Sequence, residues 1–400
     1  MGQATRPGSY GGLRVLIAGG GVAGLEAMLA LQALAGDLVD VELLSPEHHF
    51  WYRPLSVAEP FQSPPAMRFE LAGLTEAAGA CYTPGELSAV DADLRIARTS
   101  HGAEIAYDML VIACGASPRA VLPEALTFRG PGDVDRFRGL LNELEAGSVR
   151  RVAFALPSGA VWTLPLYELA LLTAAHLEER GLGDIELMLI TPEAAPLAVF
   201  GRAASEAVAD LLAARKIATH LGRYATAFEE SELHLVPEAS VAADRVVALP
   251  RLVARPIAGV PHDAAGFIAT DEHGRVRGFD DVYAAGDITR FHVKQGGIAA
   301  QQADAAAEDI AARAGAELER HAFDPILRGL VLTGSVAAYL RTELRSGRGD
   351  TSTADSEALW WPPAKIAGRY LAPFLAERAG LVPMPPPRSR VASLLEEVLP

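Results

Sequence analysis

Cysteine is scarce. The 400-residue chain has two, Cys81 and Cys114, and they form no CxxC or similarly close pair. That spacing argues against a disulfide framework and against a local redox dithiol. Long apolar runs are missing as well. No stretch reaches the roughly 18 consecutive apolar residues of a membrane-spanning helix. The first twelve residues, MGQATRPGSYGG, lack the apolar run of a signal peptide and read as a flexible tail. Positive charge is also in deficit. A net charge of −15 argues against a general nucleic-acid binder, which needs a basic surface to neutralise phosphates. A cytoplasmic protein is the simplest reading of these absences. What the chain has is hydrophobic material, 50% of its residues, and length for roughly two to three domains.

The most informative stretch is LRVLIAGGGVAGLE, residues 13–26. Leu13 to Ile17 form a short apolar strand, and an Ala/Leu-rich helix follows Gly24. Gly19, Gly21 and Gly24 have the spacing GxGxxG, with Val22 and Ala23 between the last two. The first glycine permits a tight turn, the second lets backbone approach a pyrophosphate, and the third lets helix and strand pack closely. The helix N-terminus then offers free N–H groups and a positive dipole end. An ordinary strand-to-helix turn is the alternative. A strand before and a helix after is the context that favours dinucleotide binding.

The next strand is expected at Val39–Ser45. Its end is where a ribose-binding acid normally stands. Here that position is Ser45, and Glu47 follows two residues later, as a ribose ligand or as a solvated loop carboxylate. The run HHFWYRPL, 48–55, sets aromatics beside Arg53 and Pro54, either to line a flat ring system or as a core-edge cluster. Residues 86–106 alternate as a β-meander. Tyr107–Ala113 reads as a buried strand that ends at Cys114 and Gly115. A second strand–loop–helix is expected from strand 149–155, loop 156–163 and helix 164–180, with Pro165 in the first turn, where it costs no hydrogen bond. Strands are expected at 185–190, 266–270 and 281–285, a helix at 203–215, and a long Ala-rich helix over 298–315. The chain from 325 to 400 carries a net +2, against −17 for the remainder. It holds Trp360-Trp361-Pro362-Pro363 and a stripe of Ile366, Tyr370 and Phe374 at helical spacing, suited to a core, a dimer face or a membrane surface. Residues 347–356 are polar and read as a mobile loop.

Four motifs in fixed order, GGGVAG, YDMLVIACGA, DVYAAGD and KQGGIAAQQAD, resemble the two-dinucleotide-domain flavoproteins of the pyridine nucleotide-disulfide oxidoreductase superfamily. The nearest branches are the type II NADH dehydrogenases and the sulfide:quinone oxidoreductases, and the resemblance covers about residues 13–315. It implies an α/β fold of two Rossmann-like three-layer domains, the second inserted in the first, plus an α-rich C-terminal segment. The implied boundaries are a tail at 1–12, an FAD-binding domain at 13–128 and 255–324, a degenerate NAD(P)-binding-like domain at 129–254, and an interface, membrane-surface or dimerisation region at 325–400.

The resemblance implies FAD, with its pyrophosphate over Gly19–Gly24. Asp287, after Gly286, would hold a ribityl hydroxyl. Ser45, Glu47, Arg53, Pro54, Ala113, Cys114 and Gly115 would complete the cofactor's surroundings. Gln295 and Gly296 open a helix whose positive end would face the flavin pyrimidine edge and favour the reduced flavin. Lys294 either adds a full charge there or is a solvated lysine. Glu168 matches a glutamate that both branches carry on this helix, facing the flavin or serving as a buried or capping acid.

Two departures from the family pattern stand out. The loop 156–163, LPSGAVWT, has one glycine where NADH users have GxGxxG, and Trp162 and Leu164 are bulky where a pyrophosphate would approach. Thr191, Pro192 and Glu193 end the next strand without deciding between NADH and NADPH. Trp162 also stands where a sulfide oxidiser would carry a redox cysteine, and the region of Thr333 and Gly334 has none. The expected function is an FAD-dependent oxidoreductase passing electrons from NAD(P)H or another small donor to a quinone-type acceptor, with Lys294, Trp162 and Glu168 at the reacting centre. A nicotinamide-independent enzyme resembling the sulfide:quinone oxidoreductases, or a non-catalytic redox sensor, are the alternatives. No nucleic-acid partner and no metal are expected. Peripheral attachment at the inner face of the membrane, or a homodimer through 325–400, remains open.

Overall fold

The computed structural model describes residues 11–159, 162–344 and 350–380. The N-terminal tail through residue 10, Ala160 and Val161 of the second loop, and 345–349 of the polar loop lie outside them. Seven helices are described: α1 (Val22–Ala35), α2 (Leu71–Ala77), α3 (Val134–Glu145), α4 (Leu164–Glu179), α5 (Arg202–Ala214), α6 (Gly296–Arg313) and α7 (Leu371–Arg378).

Two five-stranded sheets organise the chain, and both are parallel throughout. The first has the order Val282–Ala284, Met109–Ile112, Leu13–Ala18, Val39–Ser45, Cys81–Pro84. The second has the order Leu126–Thr127, Arg245–Ala248, Arg151–Ala155, Glu186–Ile190, Ala218–His220. Parallel strands covered on both faces must be apolar on both faces. Leu13–Ala18 meets this demand by alternation. Val15 and Ile17 pack with α1 and α6, while Leu16 and Ala18 pack with Leu87, Val90 and Ala97 of an antiparallel meander. The second sheet repeats the scheme. Val152 and Phe154 face the helical side, and Ala153 and Ala155 face a second meander through Ala225, Leu233 and Leu235. The architecture is therefore α/β, with two three-layer units of helices, parallel sheet and meander. A short antiparallel ribbon, Ser117–Arg119 with Arg251–Val253, carries the chain between them.

Three local expectations change. No strand forms over 266–270, where only isolated bridges from Ile268 and Thr270 occur. Flanking carboxylates capture the backbone instead. Asp263 accepts from the N–H groups of Ala265 and Phe267, and Asp271 from those of His273 and Arg275. The C-terminal part adds a three-stranded antiparallel sheet, Ile326–Val331, Ala338–Glu343 and Thr353–Asp355, before its helix. The last of these strands lies inside the stretch expected to be a loop. The helix itself starts at Leu371, so of the expected stripe only Phe374 is helical, while Ile366 is buried in an irregular segment before it. Among the described residues no helix is long and apolar enough to cross a membrane.

Candidate active site

The glycine turn is closed by backbone contacts that no other residue tolerates. A Cβ on Gly24 would lie 1.8 Å from the Gly19 carbonyl oxygen. Gly19 has φ of +126°, and a Cβ there would lie 2.2 Å from the Ala113 carbonyl oxygen. Beside Gly21, by contrast, there is open space. Gly21 caps α1 without a side-chain hydrogen bond, and the first turn, which includes Val22 and Ala23, contains no acid. The N–H groups there are free for an anion. Ser45 stands behind the turn. Its Oγ accepts from the Glu47 N–H at 3.3 Å, and the Glu47 side chain is exposed at the strand's end. Cys114 follows Ala113, and its Sγ donates to the Ala18 carbonyl at 3.3 Å. The residue is exposed, but its sulfur is turned onto the Ala18 carbonyl, and desolvation there pushes the thiol up to about 12. Gly115 completes the strand-ending turn with φ of +68°.

A cavity of about 280 Å³ lies where the two sheets and the C-terminal segment meet. It brings together Arg53, Pro54, Trp162, Glu168, Asp287, Lys294, Gln295 and Gly296, residues spread over some 240 positions of sequence. Its apolar walls include Phe128, Leu249 and Leu252. Asp287 follows Gly286, whose N–H donates to Gln302. No protein hydrogen bond reaches the Asp287 carboxylate among the described residues, and burial pushes it up, against the pull of Lys294 and Arg53. Lys294 donates to the Thr289 carbonyl and lies over the Phe267 ring, 4.1 Å from its centroid. Desolvation lowers it to about 8, with Asp287 and Asp263 opposing. It is a buried cation, not a solvated lysine. Gln295 caps α6 by accepting from the Ile298 N–H at 3.0 Å.

Glu168 is a fully buried acid, and it stands at the cavity wall. Each of its oxygens is 2.6 Å from Lys365 Nζ, and Oε1 also accepts from the Leu332 N–H at 2.8 Å. Lys365 makes a third contact, to the Pro54 carbonyl at 3.1 Å. Sequence reasoning missed Lys365. Its partner is 197 residues away, and no spacing links them. The available signal was scarcity: it is the only lysine after residue 294.

The second loop is built differently. Trp162 lies against Phe200, with centroids 6.0 Å apart, and lines the cavity. Glu193 turns inward. It accepts from Tyr167 at 2.6 Å, Thr191 at 2.8 Å and Thr163 at 3.3 Å, and burial pushes it up. A carboxylate engaged by three hydroxyls of its own domain is not presented to a ribose.

No curated protein matches the chain. The family model described as pyridine nucleotide-disulphide oxidoreductase matches residues 167–306, from α4 to α6. Among solved structures, the chain is similar to the sulfide:quinone oxidoreductase of Aquifex aeolicus. The two are 20% identical, with 86% of this chain and 87% of that one covered and a TM-score of 0.76. A ferredoxin reductase of Rhodopseudomonas palustris is 20% identical, with 82% and 81% covered and a TM-score of 0.62. NDH2 of Plasmodium falciparum, solved with NADH, is 17% identical, with 69% and 64% covered and a TM-score of 0.56. The matched model covers α4 to α6 only, and the solved structures share with this chain the fold of two parallel sheets with a glycine turn at the first helix N-terminus.

Proposed function

We propose that this protein is an FAD-dependent oxidoreductase that takes electrons from a small donor other than NAD(P)H and passes them to a quinone-type acceptor. The residues present suit FAD. The open space at Gly21 and the free N–H groups of α1 fit a pyrophosphate. The half-buried Asp287 carboxylate, which accepts no protein hydrogen bond among the described residues, fits a polyol hydroxyl. FAD would supply two-electron chemistry at its ring, and the protein's part is binding, orientation and electrostatics.

The observation that carries this reading is the cavity, which gathers Asp287, Lys294 and Gly296 from one side and Trp162, Glu168 and Lys365 from the other. Lys294 puts positive charge beside Asp287, and the N-terminus of α6 adds its dipole, an arrangement that favours negative charge at that end of the cavity. The Lys365–Glu168 pair holds exchangeable protons in a buried place, as reduction of a quinone-type acceptor requires. Phe128, Trp162, Leu249 and Leu252 offer apolar surface to a ring. The engaged Glu193 and the Trp162 loop argue against a docked nicotinamide nucleotide.

The experiment is an anaerobic titration of the purified protein with NADH and then NADPH, following the flavin band near about 450 nm. The expected result is a flavin spectrum that neither nucleotide bleaches rapidly and that a quinol reduces. Rapid bleaching at stoichiometric NADH or NADPH would overturn the choice of donor. The absence of any flavin after reconstitution would overturn the whole reading.

A further inference from the structure

The segment from Ala364 to Leu371 forms a strap that ties α4 to α1 and contributes Lys365 to the cavity. Lys365 reaches Glu168 of α4 and the Pro54 carbonyl. The Ile366 N–H donates to the Tyr52 hydroxyl at 2.9 Å, and the Ile366 side chain packs on Gly296 at the start of α6. The strap ends on Glu26 of α1. Tyr370 N–H donates to Glu26 Oε1 at 2.7 Å, and Leu371 N–H donates to Oε2 at 2.9 Å. No side chain of α7 or its N-cap satisfies these amides, so a carboxylate from another helix caps α7. The fit is tight: a Cβ on Gly368 would lie 2.3 Å from Glu26 Oε2.

Behind Glu26 stands a second carboxyl, Asp304 of α6. The two are in hydrogen-bond contact, and Asp304 Oδ1 is buried with no donor. Two buried carboxyls in contact do not both ionise. Glu26 receives two backbone N–H groups, so it is the carboxylate, and Asp304 keeps the proton. Burial pushes Asp304 well above its usual range, with the Glu26 and Glu308 charges adding and Arg369 opposing. The other groups facing the pair are Tyr370, on the strap, and Glu308, which is itself held by Arg369 and His321.

We propose that Glu26 and Asp304 form a one-proton latch that positions the strap, and through it seats Lys365 on Glu168 in the cavity. The pair binds its proton more tightly in the latched state than when the strap is released. The latch is therefore engaged while the pair holds a single proton, and it weakens as pH rises through the raised window of the pair and that proton is lost. In that window each pH unit shifts the docking equilibrium by up to about tenfold. The importance of Lys365 for electron transfer rests on the function proposed above. The latch itself does not.

The chain contains three lysines, Lys216, Lys294 and Lys365, and Lys216 is exposed. Trace acylation of the purified holoprotein with an N-hydroxysuccinimide acetate, read by mass spectrometry, gives the Lys365/Lys216 labelling ratio at each pH. In the wild type the ratio is expected to be low near about pH 6 and to rise about tenfold or more by about pH 9. Asp304→Asn still donates to Glu26 but does not titrate, so its ratio should stay low and within about twofold over that range. Glu26→Gln removes the charge that holds the two amides and should expose Lys365 at every pH. An equal rise in Asp304→Asn, a flat wild-type profile, or a protected Lys365 in Glu26→Gln would each overturn the latch. If the variants do not fold, amide hydrogen exchange over 365–371 in the wild type decides. Protection that falls with pH beyond the intrinsic base catalysis supports the latch, and constant protection refutes it. None of these readouts depends on the donor or the acceptor, so the latch and the proposed function fail separately.

Discussion

The two strand–turn–helix units at residues 13–35 and 151–179 share a topology and differ in almost every contact at the turn. In the first, backbone meets backbone at Gly19 and Gly24, and space stays open beside Gly21. In the second, the turn carries Gly159, Trp162 and Thr163, and the next strand's acid is tied down by Tyr167 and Thr191. One similarity survives. The fifth residue after each N-cap is a fully buried glutamate, Glu26 on α1 and Glu168 on α4, and each holds the same C-terminal strap. The parallel sheet needs only apolar strands and a helix that packs on them, so a unit can have this fold without a glycine turn open to phosphate. What both units have besides the fold is a grip on the strap that carries Lys365 to the cavity.

The sharpest test of the comparison places the same substitution in both turns. Gly24→Ala drives a Cβ into a carbonyl oxygen at 1.8 Å. Overpacking of movable side chains costs about 1–3 kcal/mol, and a backbone atom gives way less readily, so the cost lies at or above the top of that range. The purified variant should lack flavin absorbance. Gly159→Ala meets only the Arg251 side chain, at 3.4 Å, but sits at φ of +78°. It should lose about 1–2 kcal/mol from its left-handed backbone and retain its flavin. Equal flavin loss in both variants would mean that the second turn still supports the cofactor.

A second test separates the two buried glutamates. Lys365→Met leaves Glu168 as a buried charge without its partner, which should cost about 3–5 kcal/mol in a denaturant melt. The double variant Lys365→Met/Glu168→Gln removes the charge and keeps an acceptor for the Leu332 N–H. It should regain most of that loss while remaining impaired in acceptor reduction. If the double variant is as unstable as the single one, the pair acts through packing and not through charge.

Much of this was legible in the sequence because it is local. The five residues around Val15, the glycines that follow, the strand Val39–Ser45 and the meander over 86–106 each announce themselves by alternation or by turn chemistry within a short window. The cavity's first wall, Asp287 to Gly296, was legible for the same reason. The Lys365–Glu168 pair was not, because the partners meet only through tertiary packing. The C-terminal sheet also escaped notice. Gly329 interrupts its first strand, because a Cβ there would lie 2.5 Å from Phe200, so the usual β-branched signature is broken. The stripe of Ile366, Tyr370 and Phe374 has helical spacing, but Gly368 must lie against Glu26, and no helix forms before Leu371.

The mildest perturbation probes the closed acid of the second unit. Tyr167→Phe deletes the donor to Glu193 and the acceptor for the Leu197 N–H at 3.2 Å, leaving buried polar groups short by one partner each. That should cost about 1–3 kcal/mol. Thr191 and Thr163 still hold Glu193, so the carboxylate should stay inward, and the flavin should remain unbleached by NADH. The two readouts are independent, and their combination is informative. A stability loss with no gain of nucleotide response means that the hydroxyl cluster is structural filling of a site no longer used. A variant that begins to respond to NADH means that Tyr167 holds shut a site that is otherwise competent, and the difference between the two units would then rest on one hydrogen-bonded carboxylate, not on the missing glycines.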